Sequence, residues 1–245
     1  MGISIGGKTD VGKKRENNQD FFLISKLSDK LMLLTVCDGM GGANGGSEAS
    51  RLCAETFVEC VRESIFDKSC KEYLSVLDSS IGKANDAVCS KAASDKEFEG
   101  MGTTIVTALY DGEKYYLAWV GDSRIYAITK QGIKQISHDH SFVQNLVDSG
   151  NITPDEAKNH PNRNIITKAV GIEKHIEADV CEMEKNNIEG ILLCSDGLCG
   201  YVEESDISAC ILAEKDAEIC CEKLVDLANE NGGTDNITAV IHRTL

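Results

Sequence analysis

Between residues 103 and 136 four strand-like segments stand almost back to back, and no other stretch restricts the fold of this chain so strongly. Thr103 to Tyr110, Lys114 to Val120, Ser123 to Ile128 and Ile133 to Ile136 are rich in β-branched, aromatic and other apolar residues, and Asp111-Gly112, Gly121-Asp122 and Gln131-Gly132 separate them. Links this short suit hairpin turns. A parallel pairing needs a crossover of roughly a dozen residues or more, so the segment reads as an antiparallel meander and a doubly wound parallel sheet is excluded.

The flanks carry mixed patterns. A short first strand is followed by a polar segment, Val11 to Asp20, and then by strands at Phe21 to Ile24 and Leu31 to Cys37. The second of these is continuously apolar, which predicts a strand covered on both faces. Ala49, Leu52, Cys53, Phe57, Cys60, Val61 and Ile65 then recur at helical spacing, as do Tyr73, Leu74, Leu77, Ile81, Ala84 and Val88. After the meander, residues 139 to about 178 are irregular, with short helices expected near Ser141 to Val147 and from Thr153-Pro154. A strand at Gly190 to Ser195, helices near Glu204 to Ala213 and Asp216 to Asn229, and a last strand from Ile237 to His242 complete the reading. Strands, two helices, strands, two helices and a strand define an α+β class with sheets packed together and helices outside.

The 245 residues contain only two prolines, Pro154 and Pro161, and no linker-like run, so a single domain, 1–245, is expected. A formal charge of −15 argues against nucleic-acid backbones or anionic membranes as principal partners. No apolar run reaches the roughly 20 residues of a membrane span, and the start lacks a charged and apolar leader, so a cytoplasmic protein is expected. Eleven cysteines show no two-residue spacing that would suggest zinc; Cys53, Cys60 and Cys210 read as small core hydrophobes.

Chemistry concentrates where strands end. The Leu31 to Cys37 run stops at Asp38-Gly39-Met40-Gly41-Gly42, the Gly190 to Ser195 strand stops at Asp196-Gly197, and Gly233-Thr234-Asp235 leads into the last strand. Asp20 begins another strand. A carboxylate emerging from packed core needs a cation or hydrogen-bond donors, although each acid taken singly also fits a plain turn. Were several to converge they would repel one another unless a cation joined them. Oxygen ligands of this kind suit magnesium, manganese or calcium rather than zinc.

The ordered set Arg15…Asn18-Gln19-Asp20, Asp38-Gly39-Met40-Gly41-Gly42, Gly102-Thr103-Thr104, Gly121-Asp122-Ser123-Arg124, Asp139-His140-Ser141, Cys194-Ser195-Asp196-Gly197-Leu198 and Gly233-Thr234-Asp235-Asn236-Ile237-Thr238 closely resembles the metal-dependent type 2C Ser/Thr protein phosphatases, especially their compact bacterial members. The resemblance runs from Gly12 to about Val240. It implies a central β-sandwich of two mostly antiparallel sheets flanked by helix pairs, with residues 139–178 as the family's flap. By the same resemblance Asp38 bridges two Mn²⁺ or Mg²⁺ ions, the Gly39 carbonyl serves the second and Asp196 and Asp235 the first. Asp20 holds metal-bound waters, Asp122 with Asp196 takes a third ion, and Arg15 binds phosphate. The implied reaction is direct attack of a metal-bridging hydroxide on phosphoserine or phosphothreonine esters. The implied partners are phosphoproteins and an opposing Ser/Thr kinase, and a monomer is expected.

Two residues depart from many relatives. Met40 stands where eukaryotic members place a histidine acid, which leaves a metal-bound water, His140 or His160 as proton sources; Gln19 replaces a glutamate. The rival readings are a non-catalytic metal-binding regulatory module on the same fold and a phosphomonoesterase for small metabolites. A cysteine-nucleophile loop is absent, since no cysteine is followed six residues later by arginine, and no Asp-x-Asp pair offers an aspartyl nucleophile.

Overall fold

The computed structural model describes residues 2–66, 72–186 and 188–244. Two antiparallel sheets face each other. One has the strand order β1 (Ile3–Asp10), β11 (Ile237–Thr244), β10 (Gly190–Cys194), β7 (Arg124–Thr129), β8 (Gly132–Gln135). The other runs β2 (Asp20–Lys26), β3 (Met32–Met40), β5 (Ile105–Tyr110), β6 (Lys114–Val120), β9 (Asp179–Glu184), with the two-residue β4 (Gly102–Thr103) on the far end of β3.

The meander is therefore split. β5 and β6 lie in one sheet and β7 and β8 in the other, so the chain changes sheet at Gly121-Asp122-Ser123. Gly121 has φ +107°, a conformation that a side chain would strain.

Alternation along each strand builds three apolar layers. Leu34, Val36, Val106, Leu117, Ile125, Leu193 and Val240 fill the space between the sheets. Leu33, Cys37, Ile105 and Leu109 point the other way, against Phe57, Val61, Leu77 and Ile81 of helices α1 (Gly42–Phe66) and α2 (Tyr73–Ser94). β3 thus feeds both layers, which is why its sequence is apolar throughout. The outer face of the first sheet packs on α5 (Asp196–Cys199), α6 (Glu204–Ala213) and α7 (Ala217–Glu230) through Leu192, Leu198, Ile207, Leu224 and Ile241. The expected four layers, α-β-β-α, are present.

The excursion after the meander holds α3 (Phe142–Asp148) and α4 (Pro154–Lys158). Ser141 caps α3, and Thr153 with Glu156 forms a capping box ahead of Pro154, so local chemistry alone accounts for both short helices. Among the described residues no helix is long and apolar enough to cross a membrane.

Three expectations need correction. β9 falls where no strand was expected, because Asp179-Val180-Cys181-Glu182-Met183-Glu184 is an edge strand whose charged residues mask its alternation. α5 begins on Asp196 itself, a turn too short to show helical periodicity. Cys60 and Cys210 are not core residues but partly exposed, and contact with the Cys220 thiol, with Lys223 nearby, brings Cys210 down to about 7.

Candidate active site

One end of the two sheets opens into a cleft of about 710 Å³ lined by Arg15, Gln19, Asp38 to Gly42, Asp122, Asp196 and Asp235, with Asn164 and Ile166 reaching over from the excursion. Each acid arrives from a different strand end: Asp38 from β3, Asp122 from the β6–β7 crossing, Asp196 from the start of α5 and Asp235 from the turn before β11. The polar 11–20 segment supplies Arg15. Its position is set by Asn236, whose side-chain carbonyl accepts from Gln19 N at 2.8 Å and whose amide donates to the Val11 and Asn17 carbonyls at 2.9 and 3.0 Å.

The Asp38 loop is held by its backbone. Thr104 Oγ1 accepts from Asp38 N at 3.0 Å and shares a 2.7 Å bond with Ser123 Oγ, while Thr103 Oγ1 donates to the Asp38 carbonyl at 2.9 Å. A Cβ on Gly39 would lie 2.0 Å from the Gly46 carbonyl, so only glycine lets β3 meet the start of α1 this closely.

The electrostatics are those of crowded like charges. Burial, reinforced by Asp20 and Asp196, pushes Asp38 well above the usual carboxylate range. Burial likewise raises Asp122 to about 8, with Asp196 adding to it, and Asp196 to about 6, with Asp235 adding to it. Asp196 and Asp38 lie in hydrogen-bonding contact. Arg15 Nη2 donates to Asp235 Oδ2 at 2.8 Å, a bond that holds the guanidinium still more firmly protonated, and half of the arginine side chain faces solvent.

Asp20 differs from the others. It pairs with Asp38 in the β2–β3 register but is only 6% exposed and does not line the cleft. Its Oδ2 accepts from Ser195 Oγ at 2.7 Å and Thr238 Oγ1 at 2.6 Å, its Oδ1 has no protein partner, and burial raises it to about 7.

The histidines considered as proton donors are elsewhere. His140 Nδ1 accepts from Gly121 N at 3.0 Å and its Nε2 faces Asp179, while His160 stacks near Phe142 and accepts from Asn162 N. Neither lines the cleft. Met40 does.

Among the described residues no three Asp, Glu, His or Cys side chains are arranged as a ready-made metal cage. Even so, the donors fit hard divalent cations: they are all oxygen, four aspartates line one cleft, and the buried Asp20 Oδ1 lacks a donor. Divalent charge is what would let these acids ionise side by side.

This arrangement belongs to a known class of hydrolases. Residues 11–227 match the Protein phosphatase 2C family, and the chain is a member of it. It is 32% identical to the serine/threonine phosphatase stp of Listeria innocua over 96% of this chain and 93% of that protein. The crystal structure of the serine/threonine phosphatase Stp1 from Staphylococcus aureus superposes with a TM-score of 0.91 at 35% identity, covering 100% of this chain and 96% of that one. The catalytic domain of the serine threonine protein phosphatase PstP in complex with two manganese ions superposes with a TM-score of 0.84 at 31% identity, covering 98% and 97%.

Proposed function

We propose that this protein removes phosphate from phosphoserine and phosphothreonine side chains of proteins, using divalent cations held at the carboxylate cleft. The observation that carries the reading is the meeting of Asp38, Asp122, Asp196, Asp235 and Arg15 in one cleft of a family member whose relatives are named serine/threonine phosphatases. In this reading Asp38 and the Gly39 carbonyl, with Asp196 and Asp235, hold two Mn²⁺ or Mg²⁺ ions, and Asp122 with Asp196 holds a third. Bound cations supply Lewis acidity, activating water and neutralising charge on the phosphoryl oxygens.

The chain's own residues do the rest. Arg15, released from Asp235 when that carboxylate turns to a cation, offers two parallel N–H groups to a phosphate, a pairing lysine cannot imitate. Asn164 and Ile166 cover the cleft from the excursion and narrow the approach of the substrate. Met40 has no proton to give, so the leaving alkoxide takes its proton from water in the cleft. One catalytic domain over residues 1–245, acting as a monomer opposite a Ser/Thr kinase, completes the reading. The ten described cysteines, all free, support a reducing cytoplasmic setting.

The test is Mn²⁺-dependent phosphate release from phosphothreonine and phosphoserine peptides beside an aryl phosphate. Chelation is expected to abolish it and Mn²⁺ to restore it. Aryl phosphate turnover with no peptide turnover would overturn the protein-phosphatase reading. No turnover of either, with metal bound, would favour the regulatory module. Asp122→Ala is expected to lower turnover while two ions still bind; loss of all ions together would contradict the third site.

A further inference from the structure

Two hydroxyl groups outside the cleft converge on the one acid that the cleft does not expose. Asp20 sits at the start of β2, in the sheet that carries Asp38. On the opposite sheet, Thr238 lies in β11 three residues after Asp235, and Ser195 follows the last residue of β10 and immediately precedes Asp196. Both donate to the same oxygen, Asp20 Oδ2, at 2.7 and 2.6 Å, and all three side chains are buried.

The hydroxyls are themselves fixed. Thr238 N donates to Ser195 Oγ at 3.0 Å, Ser195 N donates to the Thr238 carbonyl at 3.2 Å, and Thr9 Oγ1 donates to Thr238 Oγ1 at 2.8 Å, since Thr238 spends its own proton on Asp20. The Thr9 hydroxyl in turn accepts from Asn18 Nδ2 at 2.8 Å. Hydroxyl-to-carboxylate bonds this short are charge-assisted and among the stronger hydrogen bonds a protein makes.

We propose that Ser195 and Thr238 are positioning residues that, through the shared Asp20 oxygen, lock the two sheets together at the cleft and so set the spacing of Asp38 against Asp196 and Asp235. The tie spans the sandwich at the point where the acids must come within reach of common cations. Beside it stand the direct Asp196–Asp38 contact, which ionisation of both acids would turn into repulsion, and the Asn236 clamp on Gln19 N, which holds backbone ahead of β2 and reaches no cleft acid. Groups that orient ligands from behind typically change metal affinity by roughly 10–100-fold when removed. This inference rests on the metal-site reading given above, and it assigns Asp20 the task of holding the ligands' frame as its first role.

The experiment measures Mn²⁺ binding to metal-stripped protein by calorimetry and by the electron paramagnetic resonance of free Mn²⁺, with no activity involved. Thr238→Val and Ser195→Ala are each expected to weaken binding roughly 10-fold or more, and Thr238→Ser, which restores the hydroxyl, is expected to return it to within about threefold of wild type. A folded Thr238→Val protein that binds Mn²⁺ within about twofold of wild type would overturn the proposal, as would a Thr238→Ser protein as weak as Thr238→Val. Ser195→Ala, which leaves Thr238 in place, decides the matter should Thr238→Val fail to fold. Wild-type protein that takes up no Mn²⁺ would instead overturn the metal-site reading itself.

Discussion

Gln19 is the residue at which this cleft differs most usefully from a bare ring of acids. Its backbone carbonyl accepts from Gly39 N at 3.1 Å and from Ser50 Oγ at 2.6 Å, and its side-chain amide donates to the Gly42 carbonyl at 2.8 Å. The side chain therefore fastens the first residue of α1, and a carboxylate in its place would set two acceptors against each other. Gln19→Glu is expected to destabilise the metal-free protein by about 1 kcal/mol, the worth of one hydrogen bond, while its added charge tightens Mn²⁺ severalfold. Denaturant titration without metal and calorimetry with it separate the two effects, and an unchanged Mn²⁺ affinity would show that charge at residue 19 is not felt by the ions. Asp38→Asn works in the opposite sense. It removes a charge that burial and neighbouring acids already disfavour, so the metal-free variant is expected to be at least as stable as wild type, with turnover down on the order of 10³-fold or more. Near-normal turnover would sink the mechanism.

At the level of elements, what the sequence revealed and what it hid divide along physical lines. β3, the meander and the paired helices were legible because burial on one or two faces leaves a period of two or of 3.6 in the chain. Asp38, Asp196 and Asp235 were legible because a carboxylate beside glycine interrupts an apolar run. The withdrawal of Asp20 was not, since it depends on Ser195 and Thr238, 175 and 218 residues away. The clamp by Asn236 across residues 11 to 19 was hidden for the same reason. Gly6 illustrates a third case. It looks like an ordinary weak point in β1, yet a Cβ there would lie 2.4 Å from the backbone of Glu218, where α7 rests directly on the strand. Gly6→Ala must push α7 outward, and the expected cost is about 1–3 kcal/mol, read from the urea midpoint. Because Gly6 pairs with Ile241, on the far side of β11 from Thr238, turnover measured well below the melting temperature is expected to stay close to wild type. A urea midpoint equal to wild type would mean that the helix is not seated on the strand as described.

For the molecule as a whole, the stability of the metal-free protein is set by opposing titrations. Asp196, Asp20 and Asp122 are raised to about 6, 7 and 8, and Asp38 stands well above the usual carboxylate range, with burial the leading cause in each. A carboxyl whose folded pKa lies above its unfolded value stabilises the fold fully below the unfolded value near 3.8, and that stabilisation is lost as pH rises through the folded value. His242 acts in reverse. Buried between the sheets, with Nδ1 bonded to the Tyr115 hydroxyl at 2.7 Å, it is lowered to about 4 by burial, so its contribution is present above about 6.5 and lost as pH falls through 4. Between pH 6.5 and 8.5 the Cys210 thiol, lowered to about 7, opposes the carboxylates but is outnumbered by them, and the metal-free protein is expected to melt at a progressively lower temperature as pH rises across that window. Bound Mn²⁺ compensates the ionised acids, so at saturating metal the slope is expected to flatten or reverse. Below pH 6 protonation of His242, one group against four carboxyls, opposes part of the gain and the rise of the melting temperature becomes shallower. Thermal scans across pH 4 to 8.5, with chelator and with Mn²⁺, measure all three features. A metal-free melting temperature that rises from pH 6.5 to 8.5 would mean that the acids do not repel one another in the folded chain, and with that the need for a cation at the cleft would disappear.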